Sequence, residues 1–362
     1  MTSISDSARR QSALMSGPVG EMLPVERFPA ENTLLARDRY SYEGNWLFCT
    51  FDQPDILAAR IGFGLGVFHW PDYGLKAQQD ATVPLGYRLE VVTPAGVAAC
   101  LYSDPHQGAS VQSDPAAMEI RFPVDHVELF HLHGWPDMSW EFRSPDASIG
   151  AELQLSLKNM AVWPDCIMPH NTFSMCIGVC AVSGVISLWG RRHDVTGGAV
   201  YDHPRVVVRS NAVPPFGWYL YAPLRFSDGT FVVSYYAEDG LGRKDEYYST
   251  GFITLPDGTS CWMRSTEIRQ LKLDENGLPI AWETRLIGEG MSISYCTGIT
   301  DLSLLPSAAA SDQSHPTGKY LAFPLLMEAE GEYRIDGVTT RIEHGAGIAE
   351  FLKREGYSPV FP

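Results

Sequence analysis

From Tyr40 onward the chain is written in short apolar or alternating runs: SYEGNWLFCTF, AARIGFGLGVF, YRLEVVT, VAACLYS, MEIRFPV, HVELFHLH, SWEF and AELQLSLK. Their lengths are those of strands, and the DQPD, TPAG and SDPHQG breaks between them carry turn chemistry. MCIGVCAVSGVISLWG predicts a further pair of strands bent at Gly184. The second half repeats the style with RVVVRS, GWYLYAPLRF, TFVVSYYAE, YYSTGFITL, SCWMRSTEIRQLKL and IAWETRLI. Asp-Gly or Asn-Gly pairs begin at Asp228, Asp239, Asp257, Asn276 and Asp336. These are strong local hairpin signals, because the turn needs residues that tolerate positive φ. A short helix is expected only around Ala8 to Leu14, in a polar, Ser-rich lead-in. The closing GAGIAEFLKREGY reads equally as a helix or as a last strand.

The pattern predicts an all-β chain of two packed antiparallel barrels or sandwiches. The expected division is a lead-in over 1–30, a first β domain over 31–195 and a second over 196–362. A length of 362 residues is enough for two cores.

Composition narrows the partners. A formal charge of −16 argues against nucleic acid, and no basic tract would dock on an anionic membrane. No run of about 18 apolar residues is present, and the first residues lack the apolar centre of a secretory signal. The seven cysteines are scattered and odd in number, which suits reduced thiols, so a cytoplasmic location is expected. Oligomeric state is left open, a homodimer being among the compatible states. Aromatic residues make up 11%, enough to fill β cores and also to line a cavity for an apolar small molecule.

Chemistry concentrates in Gly197-Gly198-Ala199-Val200-Tyr201-Asp202-His203-Pro204, where a phenol, a carboxyl and an imidazole follow paired glycines. All three can move protons. The alternative is a polar turn that ties down the domain junction. A nucleophile elbow and a phosphate loop are absent, and Gly62-Phe63-Gly64-Leu65-Gly66 has the wrong spacing for a dinucleotide loop. Period two would send His131 and His133 to one face of a strand, as metal ligands, pocket lining or ordinary strand residues. Neither Glu141 nor Asp137 completes a jelly-roll ligand set with them, so no metal is assigned. Cys176 and Cys180 read as buried thiols. What remains is proton chemistry without a cofactor: Asp202 as general acid, its pKa raised by desolvation among aromatics, with His203 and Tyr201 assisting. Tyr219 and Tyr221 would share one face, opposite Trp218, with Tyr235 adding a further phenol. Glu343-His344 forms a second acid–imidazole pair, or a turn with surface charges.

The order of these motifs resembles the two-domain lipocalin-like family that includes carotenoid hydratase (hydroxyneurosporene synthase) and the AttH-like proteins. The likeness runs from about residue 40 to 355. It is carried by Tyr42-Glu43-Gly44-Asn45-Trp46-Leu47-Phe48, by Gly197 to His203, by Gly217-Trp218-Tyr219 and Phe226-Ser227-Asp228-Gly229, and by Glu330-Gly331-Glu332-Tyr333 to Glu350. Pro204-Arg205-Val206 and Ala329 depart from the family's pattern. The resemblance implies two calycin-type barrels with a ligand cavity near their junction, a closing strand to at least Phe351, and cofactor-free chemistry on large apolar substrates. Asp202 would be its proton donor. Trp46, Trp218, Tyr219, Tyr221, Tyr235, His131, His133, Glu343 and His344 would contact substrate. The expected function is therefore a lyase, hydratase or isomerase acting on a terpenoid or phenylpropanoid-like molecule. A non-catalytic carrier of the same ligand class and a His-ligated metalloenzyme are the alternatives.

Overall fold

The structure is a computed structural model. It describes residues 21–23, 41–66, 85–104, 107–114, 117–124, 126–167, 171–208, 216–239, 241–245, 249–275, 277–300, 313–315 and 318–354. The helix expected over 8–14 lies outside them. Among the described residues there is no α-helix, only one 3-10 turn at Gln107–Ser110.

The first sheet contains β1 (Glu21–Leu23), β2 (Ser41–Phe51), β3 (Ala58–Gly66), β4 (Leu85–Thr93), β5 (Gly96–Asp104) and β6 (Gln112–Asp114). It continues with β7 (Glu119–Val124), β8 (Val127–His133), β9 (Asp137–Arg143), β10 (Ile149–Ile167), β11 (Asn171–Leu188) and β12 (Arg191–Val208). Its order is β5-β4-β3-β2-β12-β11-β10-β9-β8-β7-β6, with β1 laid against β10, and it curls into a half-barrel. The second sheet contains β13 (Phe216–Arg225), β14 (Phe231–Asp239), β15 (Gly251–Thr254), β16 (Ser260–Leu273) and β17 (Pro279–Gly288). It ends with β18 (Met291–Ile299), β19 (Gln313–His315), β20 (Gly318–Ile335) and β21 (Val338–Arg354). Pairing of β18 with β20 and of β13 with β21 closes eight of these strands into a barrel. Closure leaves those strands no open edge.

Three apolar layers hold the molecule together. One lines the inside of the half-barrel, where Phe63 stacks on Phe130 at 4.3 Å and Tyr87 on Phe142 at 5.6 Å. Such ring pairs add roughly 0.5–1.5 kcal/mol each beyond burial. Another fills the closed barrel around Trp218, Trp282 and Phe351. The third lies between them, where the outer face of β2, β3, β4, β11 and β12 meets the outer face of β13, β14 and β21. This explains why the central strands read as nearly continuous apolar runs: both faces are buried. In β2, Leu47 and Cys49 enter the half-barrel, while Trp46 and Phe48 face the junction.

Three expectations change here. Residues 171–188 form one continuous strand, not a pair, because Gly184 (φ +151) allows close passage along Glu152 and Leu153 of β10 without breaking the pairing. The change of sheet falls between Val208 and Phe216, beyond the expected 195/196 division. The paired glycines and the residues after them are therefore not a polar turn at the junction but part of β12. A Cβ on Gly197 would press into the backbone of Thr50 and Phe51 on β2, and one on Gly198 would press into Phe231 of the closed barrel. Close packing leaves no room for a side chain at either position without a shift of its neighbours. The Asp336–Gly337 pair does make the expected hairpin, with φ of 47° and 86° between β20 and β21. The ambiguous C-terminal segment is the strand β21.

Candidate functional site

Strand geometry separates the three proton-bearing residues of β12. Successive side chains point to opposite faces, so Tyr201 and His203 enter the half-barrel while Asp202 faces the junction. They do not converge on one centre.

Asp202 lies deep between the sheets, opposite Trp46 in the β2 register. Its Oδ2 accepts a hydrogen bond from the Tyr235 hydroxyl at 3.3 Å, and its Oδ1 has no partner among the described residues. Burial pushes its pKa up to about 8; the Tyr235 bond pulls the other way and the Glu350 charge adds to the rise. No cation faces it at bonding distance among the described residues. The carboxyl therefore holds its proton at neutral pH. Around it stand Tyr221, stacked on Tyr235 at 4.2 Å, and Phe48, edge-on to Tyr221 at 5.0 Å. Burial first, and then the neighbouring Asp202, holds both phenols well above their usual range.

A second group shares the junction. Arg60 on β3, 1% exposed, donates from Nε to Glu90 Oε2 at 2.6 Å and from an Nη to Glu350 Oε2 at 3.0 Å. Its other Nη has no partner among the described residues. The Tyr219 hydroxyl donates to Glu350 Oε1. Glu350 thus links a cation of the first sheet to a phenol of the second, and its charge also reaches Asp202.

On the opposite face of β12, His203 Nε2 lies 2.7 Å from Glu43 Oε1, and the Tyr201 hydroxyl donates to Asn45 Oδ1 at 3.0 Å.

The remaining expected site residues lie as follows. Trp46, Tyr219, Tyr221 and Tyr235 belong to the junction layer. Trp218 does not: period two turns it into the closed barrel, against Tyr236 and Phe351. His131 and His133 sit on β8, four strands from β12 in the sheet, opposite in phase to the inward Phe130 and Leu132. His131 Nε2 pairs with Glu119 Oε1 at 2.8 Å, and no group of three metal-ligating side chains occurs among the described residues. Glu343 pairs with Arg341 at 2.8 Å on the surface, and His344 is exposed with φ of 53°. Neither joins Asp202.

Sequence reasoning missed Arg60, Glu90, Glu350, Asn45 and Glu43 as site residues. A signal existed for Arg60 and Glu90. Each is a charge inside an apolar run, in the phase opposite Ile61 and Phe63 or Leu89 and Val91, and a buried charge requires a partner.

No family model matches the sequence, and no curated protein matches it. Solved structures do. An AttH-designated protein from Nitrosomonas europaea superposes with a TM-score of 0.57 at 11% identity, over 94% of this chain and 99% of that one. Kievitone hydratase from Nectria haematococca superposes with a TM-score of 0.51 at 8% identity, over 91% of this chain and 93% of that one. The fold is that of the AttH-like, two-domain lipocalin-type proteins. At these identities the AttH-like fold alone is shared. It fixes the half-barrel, the closed barrel and the layer between them, and the chemistry of that layer is this chain's own.

Proposed function

We propose that the chain is an enzyme in which Asp202 donates a proton to a bulky, largely apolar substrate of terpenoid or phenylpropanoid-like character. The reaction would be of lyase, hydratase or isomerase type and need no organic cofactor. One observation carries this reading: a carboxyl with a pKa of about 8 and one oxygen unpartnered among the described residues, set among aromatic side chains. A purely structural aspartate would be paired on both oxygens or replaced by an apolar residue, since unsatisfied burial costs roughly 1–3 kcal/mol. That an AttH-like scaffold serves as a hydratase in another protein is consistent with the reading.

In the proposed step the Asp202 O–H bond breaks as a C–H bond forms on an electron-rich double bond, or as an O–H bond forms on a departing hydroxyl. The carboxylate then recovers a proton from the adding water or from the adjacent C–H. Tyr235 holds Oδ2 and leaves Oδ1 to the substrate. Tyr219, Tyr221, Phe48 and Trp46 supply apolar walls that exclude water.

The test is deuterium incorporation from D2O into a panel of hydroxylated and unsaturated isoprenoids and phenylpropanoids, followed by mass spectrometry. The native protein should label at least one member at carbon. Asp202→Asn should lower that rate by at least ~10²-fold, the usual contribution of a general acid. An Asn variant as active as the native chain would defeat the assignment. Saturable binding with neither labelling at carbon nor loss of water from any member would instead support a carrier.

A further inference from the structure

Glu43, Asn45, Tyr201 and His203 occupy neighbouring positions on the inner face of two paired strands, β2 and β12. All four are more than nine-tenths buried. Each hydrogen bond uses one polar atom and orients what is left. His203 meets Glu43 through Nε2, which leaves Nδ1 without a partner among the described residues. Asn45 accepts from Tyr201 through Oδ1, which leaves Nδ2 without a partner among the described residues. Residues at such adjacent cross-strand positions lie within reach of one another.

The two free atoms have complementary roles. The Asn45 amide nitrogen can only donate. With Nε2–H donating to the Glu43 carboxylate, the imidazole is set in the tautomer whose Nδ1 accepts. An acceptor beside a donor matches one chemical group, a hydroxyl, which gives its hydrogen to Nδ1 and takes one from Nδ2. The surroundings are apolar and aromatic. Trp135 and Trp140 stand edge-on to Tyr201 with ring centroids 6.2 and 6.0 Å away.

We propose that the half-barrel interior is a second ligand site, separate from the junction, in which Asn45 and His203 hold the hydroxyl of an alcohol or phenol carried on an apolar body. Glu43 and Tyr201 are its positioning residues. The site does not depend on the role proposed for Asp202, because the backbone of β12 lies between them.

The experiment titrates the full-length protein with 2-naphthol and, separately, with naphthalene, following the side-chain ¹⁵N shifts of histidine-labelled protein. The expected result is saturable binding of 2-naphthol at least ~10-fold tighter than naphthalene, with the shift confined to the Nδ1 of one histidine. That signal should vanish in His203→Asn. Asn45→Leu should weaken 2-naphthol by a similar ~10-fold while leaving naphthalene unchanged, and Asp202→Asn should leave both affinities as they are. Equal affinity for the two probes in the native protein, no 2-naphthol binding, or loss of binding in Asp202→Asn would each overturn the proposal. The native-protein comparison decides the matter even if His203→Asn fails to fold.

Discussion

Asp202 and Glu90 are both carboxyls buried on the junction side of the first sheet, yet their pKa values are displaced in opposite directions. Burial raises both. For Asp202 nothing reverses the rise, and its pKa is pushed up to about 8. For Glu90 the charges of Arg60 and Arg88 and the Arg60 hydrogen bond outweigh burial and hold the carboxyl below its ordinary value. Desolvation alone therefore does not decide which acid is proton-bearing; the placement of cations does. Arg60 is spent on Glu90 and Glu350. Among the described residues Asp202 has only a phenol, which can hydrogen-bond to a neutral carboxyl without drawing out its proton. Within one junction an ion network and an uncharged carboxyl stand near each other.

Removing the cation should break the contrast most severely. Arg60→Leu leaves Glu90 buried without its nearest charge partner and should cost about 3–5 kcal/mol of unfolding free energy in denaturant titrations. The Arg60→Leu/Glu90→Leu double variant should recover most of that loss. If the single variant were as stable as the native chain, the network would not be structural.

The pH dependence of stability separates the two acids by sign. Below about 4 Asp202 is protonated whether the chain is folded or not, since its unperturbed pKa is 3.8. Between about 4 and about 8 only the unfolded chain releases that proton, so its contribution to stability is lost progressively as pH rises. Glu90 acts in reverse: its stabilisation is present above the unfolded value and is lost as pH falls through the lowered folded one. Asp202→Asn should thus gain on the native protein between pH 4 and 8, by an amount on the order of a few kcal/mol in chemical denaturation. A constant difference across that range would contradict the assignment.

Much of this arrangement could be read from the residues in order. The runs of strand length, the Asp-Gly hairpins and the all-β class follow from period-two patterning and turn chemistry, which are local. Asp202 stood out because three titratable side chains follow paired glycines. What could not be read is which face each one takes. That follows from the register of β12 against β2 and from the docking of a second sheet on the outer face, both set by contacts between distant residues. For the same reason Glu43 and Asn45, some 160 residues from their partners, carried no local sign of their bonds to His203 and Tyr201. Alternation already sets Trp218 opposite Tyr219 and Tyr221, but which face meets the junction depends on how the sheets dock, and Trp218 takes the barrel interior rather than the expected ligand side.

Smaller perturbations sharpen the comparison. Gly198→Ala would drive a methyl group against Phe231 and to 2.8 Å from Arg225 Cδ, wedging the sheets apart four residues along β12 from Asp202. It should cost roughly 1–3 kcal/mol, the usual range for overpacking. Tyr235→Phe removes the one hydrogen bond that lowers the Asp202 pKa. It should cost about 1 kcal/mol and move the alkaline limb of the pH–rate profile further up. A shift to lower pH would mean that Tyr235 stabilises the neutral carboxyl instead.

The account rests on a protonated Asp202 at neutral pH, and carboxyl ¹³C NMR of aspartate-labelled protein tests it directly. Comparison with Asp202→Asn identifies the resonance, and titration from pH 3 to 10 gives its midpoint. The account predicts one aspartate signal, missing from the variant, that titrates near pH 8. A midpoint near 4 for that signal would contradict it.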